Sequence, residues 1–199
     1  MKISIDPQIQ IILKEWLKSL TLERNLSNLT ASSYLSDIFY FISFMNAHLG
    51  TIMKLDTLEN LTVNDIRAWL AERNATGHQS TSNSRAISAL KNLFRYLKRA
   101  HGLDNTAVFS IKLGRVTKPL PKALARETAL AAVVNIESIP VENWVGTRNV
   151  AILMLMYGLG LRISEALNIT LDDWNAHNGE FLIVKKKKKK QRSLPVLPR

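Results

Sequence analysis

Apolar residues recur at intervals of three and four through the first hundred positions, which is the spacing of one face of an α-helix. In the first such segment six residues share a face: Ile9, Ile12, Leu13, Trp16, Leu17 and Leu20. Asp6 followed by Pro7 is a favourable helix start just before them. The periodicity predicts four long helices, at about residues 8–20, 30–48, 62–77 and 80–100.

The predicted helix over residues 80–100 has one apolar and one basic face. Four of its basic residues are candidates for contacts to a phosphate backbone: Arg85, Lys91, Arg95 and Arg99. The same pattern also describes the solvated face of an ordinary bundle helix. Taken alone, this helix leaves both interpretations open.

The periodicity stops at residues 106–122, which contain one glycine and two prolines. We therefore predict a linker there, between a helical domain over residues 1–105 and a second domain over residues 123–199. The second domain should begin with a short helix, followed by a very apolar helix capped by Thr147. The segment "TLDDW" is predicted to be rich in turns.

Two short apolar segments, "EFLIV" and "RSLPVL", flank a run of lysines near the end of the sequence. Their composition is typical of β-strands, and their proximity predicts a hairpin. The lysines would then lie at the turn between the two strands.

The formal net charge is +11, which favours a polyanionic partner such as nucleic acid. Residues 185–199 contribute eight of the basic residues and no acid, and without them the net charge is only +3. The chain has no cysteine, which excludes disulfides and thiolate metal sites and is consistent with a reducing cytoplasm. No apolar run approaches the roughly 18 residues that span a bilayer, so no membrane partner is expected.

Arg162 follows a glycine-rich break after the apolar helix, in "YGLGLRISEAL". A guanidinium is always charged, so it needs an anionic partner or access to water. Glu165 lies three residues further on and can pair with it within one helical turn. The pair either stabilises a helix start, or Glu165 orients Arg162 towards a phosphate, and the residues alone do not separate these readings.

The segment "TRNVAILMLMYGLGLRISEALNITLDDW" resembles the first catalytic-arginine segment of the tyrosine recombinases, the phage-integrase family, and is most similar to its bacterial Xer members. "LIVKKKKKKQRSLPVLP" falls where that family has a hairpin of the type V-x-G-K-G-x-K-x-R-x-V-P-L. The N-terminal half resembles the family's core-binding domain. The resemblance implies a mainly α fold, with a SAM-like helical core-binding bundle followed by the incomplete start of an α+β catalytic domain.

The resemblance also implies chemistry. Such enzymes attack the scissile phosphate with a tyrosine, form a 3′-phosphotyrosine, and need neither cofactor nor metal. Arg162 matches the first of two arginines that clamp the phosphate oxygens, with Glu165 orienting it. The general acid corresponds to Lys187 if the hairpin is aligned on "KQR", or to Lys186 if residues are counted without a gap from Arg162. Further hairpin contacts to DNA are implied for Lys188, Lys190 and Arg192.

In the family the tyrosine nucleophile and a His-x-x-Arg segment follow this hairpin, whereas the sequence ends at Arg199. None of the tyrosines occupies the nucleophile's position: Tyr34, Tyr40, Tyr96 and Tyr157. The histidines are interpreted as surface residues: His48, His78, His101 and His177. We therefore expect a fragment that does not cleave DNA alone, with exposed apolar surface around residues 152–157.

The partners implied are double-stranded DNA carrying a specific recombination site and other recombinase subunits, which form a tetramer in the family. The expected activity is site-specific recombination, in chromosome dimer resolution or integration, in the bacterial cytoplasm at the nucleoid. The alternative is a duplex DNA-binding module without catalysis, or a pseudogene remnant.

Overall fold

The computed structural model describes residues 4–114, 124–137, 142–176, 180–185 and 191–196. These residues are mainly helical and include one two-stranded sheet, which confirms the predicted fold class. Backbone packing divides the chain into two units, Met1–Pro119 and Leu120–Arg199.

The first unit is helical throughout its described part. In chain order it contains the helices α1 (Pro7–Lys18), α2 (Asn28–Leu49), α3 (Leu55–Glu59), α4 (Val63–Ala75), α5 (Ser80–His101) and α6 (Ala107–Ser110), with a π-helical turn over Ser19–Glu23 after α1. The four predicted long helices correspond to α1, α2, α4 and α5. The short helices α3 and α6 were not predicted, because segments of four or five residues carry too little periodicity.

Local side-chain bonds explain where these helices begin. The Asp6 carboxylate accepts hydrogen bonds from the backbone N–H groups of Gln8 (2.9 Å) and Ile9 (3.3 Å) at the start of α1. At the start of α4 the Asp65 carboxylate accepts from the Thr62 N–H at 2.9 Å, and the Thr62 hydroxyl accepts from the Asp65 N–H at 3.3 Å. Thr62 and Asp65 thus form a capping box at the start of α4.

Large aromatic side chains form the core of the first unit. Trp16, Phe41 and Trp69 are fully buried, and the rings of Phe41 and Trp69 meet edge to face at 4.9 Å between centroids. The Trp16 indole N–H donates to the Asn92 carbonyl oxygen at 3.0 Å, so this buried donor is satisfied. The core thus joins α1, α2, α4 and α5.

Asn105 joins the end of α3 to the start of α6. Its buried amide nitrogen lies 3.1, 2.8 and 2.9 Å from the carbonyl oxygens of Leu58, Glu59 and Leu61, respectively. Its side-chain oxygen accepts from the backbone N–H of Ala107 at 2.9 Å, at the start of α6.

The sequence predicts a linker from residue 106 onwards. In the structure α6 occupies the beginning of that segment, and Val108 and Ile111 are buried in the core of the first unit. Residues 115–123 of the predicted linker lie outside the described part of the chain.

The second unit contains four helices and a hairpin in its described residues: α7 (Arg126–Glu137), α8 (Asn143–Leu159), α9 (Ile163–Ala166), α10 (Leu171–Asn175), β1 (Phe181–Lys185) and β2 (Gln191–Pro195). The strands pair antiparallel, with Val184 opposite Arg192 and Lys185 opposite Gln191. The predicted hairpin across the lysine run is therefore confirmed.

Two local predictions in this unit were wrong. Helix α8 begins at Asn143, so Thr147 lies inside the helix and is not its cap. The segment "TLDDW" folds largely as α10, because the Asp173 carboxylate accepts from the Thr170 N–H at 3.1 Å and completes a capping box.

The second unit has a small core of its own, formed by Leu161, Ala166, Leu182 and Val184. Ile152, Leu155 and Met156 of α8 pack against it. Exposed apolar surface around residues 152–157 is confirmed at Met154 and Tyr157, which are 48% and 56% exposed.

Replacing Asn105 with alanine is expected to destabilise the first unit by roughly 2–4 kcal/mol, because buried carbonyl and N–H groups lose their partner. Urea unfolding of the whole chain, followed by far-UV circular dichroism, measures the change. Asn60→Ala is the control, since the Asn60 amide bonds a single exposed carbonyl, and it should cost less than about 0.5 kcal/mol. Equal losses for the two variants would contradict this role of Asn105.

Candidate functional site

Arg162 lies between two helices of the second unit. Gly160 ends α8 in a left-handed conformation, with φ of 61°, and Arg162 is extended, with φ of −74° and ψ of 152°, immediately before α9. The adjacent Leu161 is buried and anchors this connection in the core. The Arg162 side chain itself is 74% exposed, so its guanidinium faces water.

Glu165 binds two arginines at once. One of its carboxylate oxygens accepts from Arg162 Nη1 at 3.0 Å, and the other accepts from Arg192 Nη2 at 2.9 Å. The second oxygen also accepts from the Arg162 backbone N–H at 2.9 Å. Glu165 therefore satisfies the start of α9 and holds the Arg162 side chain, as the first reading predicts. The orientation of Arg162 towards a phosphate stays a prediction.

The pKa of Glu165 is lowered from its usual range. The hydrogen bond from the Arg162 backbone N–H is the largest cause, followed among the favourable ones by the Arg162 side chain and the charge of Arg192, while desolvation opposes them. The carboxylate is thus ionised at neutral pH. One carboxylate between two guanidinium groups leaves the cluster with a net charge of +1.

Arg192 attaches the hairpin to this cluster. It lies on β2, and besides its bond to Glu165 its Nη2 donates to the Gly160 carbonyl oxygen at 3.3 Å. Its Nε is buried and has no hydrogen-bond partner among the residues that the structure describes. In the structure the Arg192 guanidinium bonds Glu165 and the Gly160 carbonyl, and the contact of Arg192 to DNA stays a prediction.

The candidate general acids lie in the lysine run between the strands. Lys185 ends β1 and Gln191 begins β2. The residues between them, Lys186, Lys187, Lys188 and Lys190 among them, lie outside the described residues. The described ends of the hairpin nevertheless connect this run to the strand that carries Arg192.

On α5 the four predicted basic contacts have different surroundings. Arg85 donates to the Asp37 carboxylate from Nε at 2.8 Å and from Nη2 at 3.2 Å. Lys91 donates to the backbone carbonyl of Ile111 at 2.7 Å, and burial lowers its pKa. Lys91 therefore connects the residue that follows α6 to α5.

Towards the end of α5, Arg99 donates to the Glu23 carboxylate at 2.8 Å. The exposed Arg95 has its guanidinium 5.7 Å from the centre of the Phe109 ring, and no ion pair of Arg95 is found within the described segments. The acids that neutralise Arg85 and Arg99 come from other helices. The sequence carries no local signal for these pairs.

The sequence predicts surface positions for the four histidines. His48 and His101 are exposed and lie near the carboxylates of Asp65 (3.2 Å) and Glu15 (3.7 Å), and His78 is partly exposed. His177 is outside the described residues.

In the described segments no group of three or more His, Asp or Glu side chains is arranged to hold a metal ion. Over the same segments no helix combines the length and apolar character needed to cross a bilayer.

The model of the N-terminal SAM-like domain of phage integrases matches residues 13–101, and the model of the phage integrase family matches residues 130–197. The chain belongs to the phage integrase family, the tyrosine recombinases. The match to the second model covers Arg162, Glu165 and Arg192.

Curated relatives of this tyrosine recombinase include "Tyrosine recombinase XerC" from Rickettsia peacockii (strain Rustic) and from Rickettsia conorii (strain ATCC VR-613 / Malish 7). Each is 39% identical over 194 residues, which are 98% of this chain and 63% of the relative. The chain thus spans 63% of the length of these proteins.

The crystal structure of a lambda integrase tetramer bound to a Holliday junction resembles the chain with a TM-score of 0.68. The identity is 18%, and the similarity covers 96% of this chain and 51% of that one, so it shows a shared fold.

The pH dependence of the NMR signal of the Arg162 backbone amide tests whether the pKa of Glu165 is lowered. Because the folded pKa of Glu165 is lowered, its contribution to stability is complete above the ordinary pKa of 4.5 and is lost as the pH falls through the folded value. The amide signal of Arg162 in NMR spectra should titrate with a midpoint below 4.5, the usual value. In Glu165→Gln this titration should disappear; a midpoint at or above 4.5 in the unmodified chain would contradict the assignment.

Replacing Arg192 with alanine should loosen the hairpin, because β2 loses its bonds to Glu165 and to the Gly160 carbonyl. Hydrogen exchange at the Val184 amide is expected to accelerate several-fold. Gln191→Ala is the matched control, since Gln191 is an exposed neighbour on the same strand. If the two variants exchange at the same rate, Arg192 does not anchor the hairpin.

Proposed function

We propose that the chain is part of a site-specific tyrosine recombinase, which binds duplex DNA and stabilises the charge that develops on a scissile phosphate. The observation that carries this proposal is the exposed Arg162 guanidinium, which Glu165 holds beside a hairpin that continues into a run of lysines. Membership of the family and the XerC relatives support it.

Arg162 has the properties that phosphate binding requires. Its bond to Glu165 uses Nη1, and most of its side chain is open to water. A guanidinium presents five N–H donors in a plane, so donors remain for two phosphate oxygens after one contact with a carboxylate. Glu165 restricts the side chain in advance and lowers the entropy lost when a phosphate binds.

The chemistry we assign follows the family. A tyrosine gives its hydroxyl proton to a general base, and its oxygen attacks phosphorus and forms a 3′-phosphotyrosine, while the bond from phosphorus to the 5′-oxygen breaks. Lys187, or alternatively Lys186, donates its ammonium proton to the departing 5′-oxygen. Arg162 binds the non-bridging oxygens through the transition state. The nucleophilic tyrosine is not among the residues we assign in this chain.

The first unit supplies DNA binding in this proposal. Its match to the SAM-like domain of phage integrases supports the role, and Arg95 is one α5 residue that we assign to a phosphate, because its guanidinium has no carboxylate partner in the described structure. By extension from the lambda integrase tetramer on a Holliday junction, we propose that the chain assembles with other recombinase subunits on DNA. Chromosome dimer resolution or integration in the bacterial cytoplasm is the corresponding process.

Binding of the whole chain to duplex DNA tests the proposal, with fluorescence anisotropy as the measurement. The dissociation constant should rise steeply with salt, because each phosphate contact releases counterions. Preference for one palindromic recombination site over a scrambled duplex supports the recombinase. Salt-dependent binding without preference favours a non-catalytic DNA-binding module, and absence of binding at low salt contradicts both.

Charge reversal at Arg95 tests the α5 face. Arg95→Glu should weaken binding to every duplex, and it should reduce the slope of log K against log salt concentration by about 1. Arg99→Glu makes the same charge change four residues on, where Glu23 already neutralises the arginine, and it should lose less affinity. Unchanged affinity for Arg95→Glu means that this face does not contact DNA.

A further inference from the structure

Asp37, on α2, is a buried carboxylate shared by two arginines of the first unit. Arg73, from α4, is almost completely buried, and its Nη2 lies 3.6 Å from the carboxylate. Arg85, from α5, reaches the same carboxylate and remains 48% exposed. Two guanidinium groups and one carboxylate leave a net charge of +1, and Arg85 is the only one of the three that carries charge to the surface.

The Asp37 carboxylate makes shorter contacts with the exposed Arg85 than with the buried Arg73. Asp37 accepts two hydrogen bonds from Arg85, at 2.8 and 3.2 Å, whereas it lies beyond hydrogen-bond distance of Arg73. The buried Nη2 of Arg73 has no hydrogen-bond partner in the described structure. Arg73 finds further partners in the core: its Nε donates to the Asn83 side-chain oxygen at 2.8 Å, and its guanidinium lies over the rings of Tyr40 and Trp69. The two short bonds of Asp37 therefore go to the arginine that reaches the surface.

Arg85 opens onto a surface recess. The recess is lined by Gln79, Thr81, Ser82 and the Arg85 side chain itself. The two bonds to Asp37 fix the guanidinium through Nε and Nη2, so its orientation at this recess is set before any ligand arrives. The hydrogen bond with Asp37 also raises the pKa of Arg85.

We propose that Asp37 is a positioning residue for DNA binding, which holds the Arg85 guanidinium against a backbone phosphate at this recess. The inference rests on the proposed function, because it assumes that the first unit binds duplex DNA. Asp37 does not touch the DNA; it acts through the orientation of Arg85.

The variant Asp37→Asn separates two effects on the affinity for DNA. Positioning of Arg85 and electrostatic attraction alone predict changes in opposite directions. It removes a negative charge, so electrostatic attraction alone predicts tighter binding to DNA. Loss of the charge-assisted bonds that orient Arg85 predicts binding roughly tenfold weaker, with a salt slope smaller by about 1. Glu59→Gln is the charge-matched control on an exposed position, and its affinity should be unchanged or slightly higher.

A second pair of variants leaves Asp37 in place and so avoids a folding defect. Arg85→Lys keeps the positive charge but cannot form the side-on pair with both oxygens of Asp37, so it should weaken binding almost as much as Arg85→Ala. Arg24→Lys, on an exposed arginine, should leave affinity unchanged. The double variant Asp37→Asn/Arg85→Ala should bind no more weakly than Arg85→Ala alone, because both changes remove one contact.

The outcomes separate the two levels of the proposal. If the unmodified chain does not bind duplex DNA, the proposed function fails. If it binds and folded Asp37→Asn binds equally or more tightly, the positioning role of Asp37 is wrong. If circular dichroism shows that Asp37→Asn has lost its helices, the lysine variants decide, and an Arg85→Lys affinity equal to that of the unmodified chain overturns the inference.

Discussion

The second unit depends on one carboxylate that binds two arginines. Glu165 accepts from the backbone and side chain of Arg162 and from the side chain of Arg192, so it joins the start of a helix to a strand 27 residues away. A single ion pair on a surface contributes little, but Glu165 is largely buried and also satisfies a backbone donor. The same contact leaves the Arg162 guanidinium exposed and restrained, which is the property that phosphate binding needs.

In the first unit, acids from neighbouring helices pair with arginines of α5. Glu23 neutralises Arg99 near the end of α5, and Asp37 binds Arg85 near its start. The basic residues along α5 therefore have different partners. Lys91 has no carboxylate partner in the described residues; it donates to the backbone carbonyls of Phe109 and Ile111 and so connects α6 and the residue after it to α5. Arg95, over the ring of Phe109, has no acid in the described structure.

Local features of the sequence were sufficient for much of the fold. The capping side chains bond backbone N–H groups that are two or three residues away, so the capping roles of Asp6, Thr62 and Asp65 could be predicted. The hairpin was predictable because two strand-like segments flank the lysines. Thr147 was misassigned because α8 extends one turn upstream through residues without a capping signal. The partners of Arg85, Arg99 and Arg192 lie 27 to 76 residues away, and no single sequence encodes such pairs by spacing.

A structure of the whole chain bound to a duplex recombination site would show whether Glu165 positions Arg162 for a phosphate. The Arg162 guanidinium should donate to the oxygens of one backbone phosphate while Glu165 keeps its bonds to both arginines. An Arg162 side chain directed away from the DNA, or a Glu165 carboxylate that has released Arg162 and Arg192 in the complex, would contradict it.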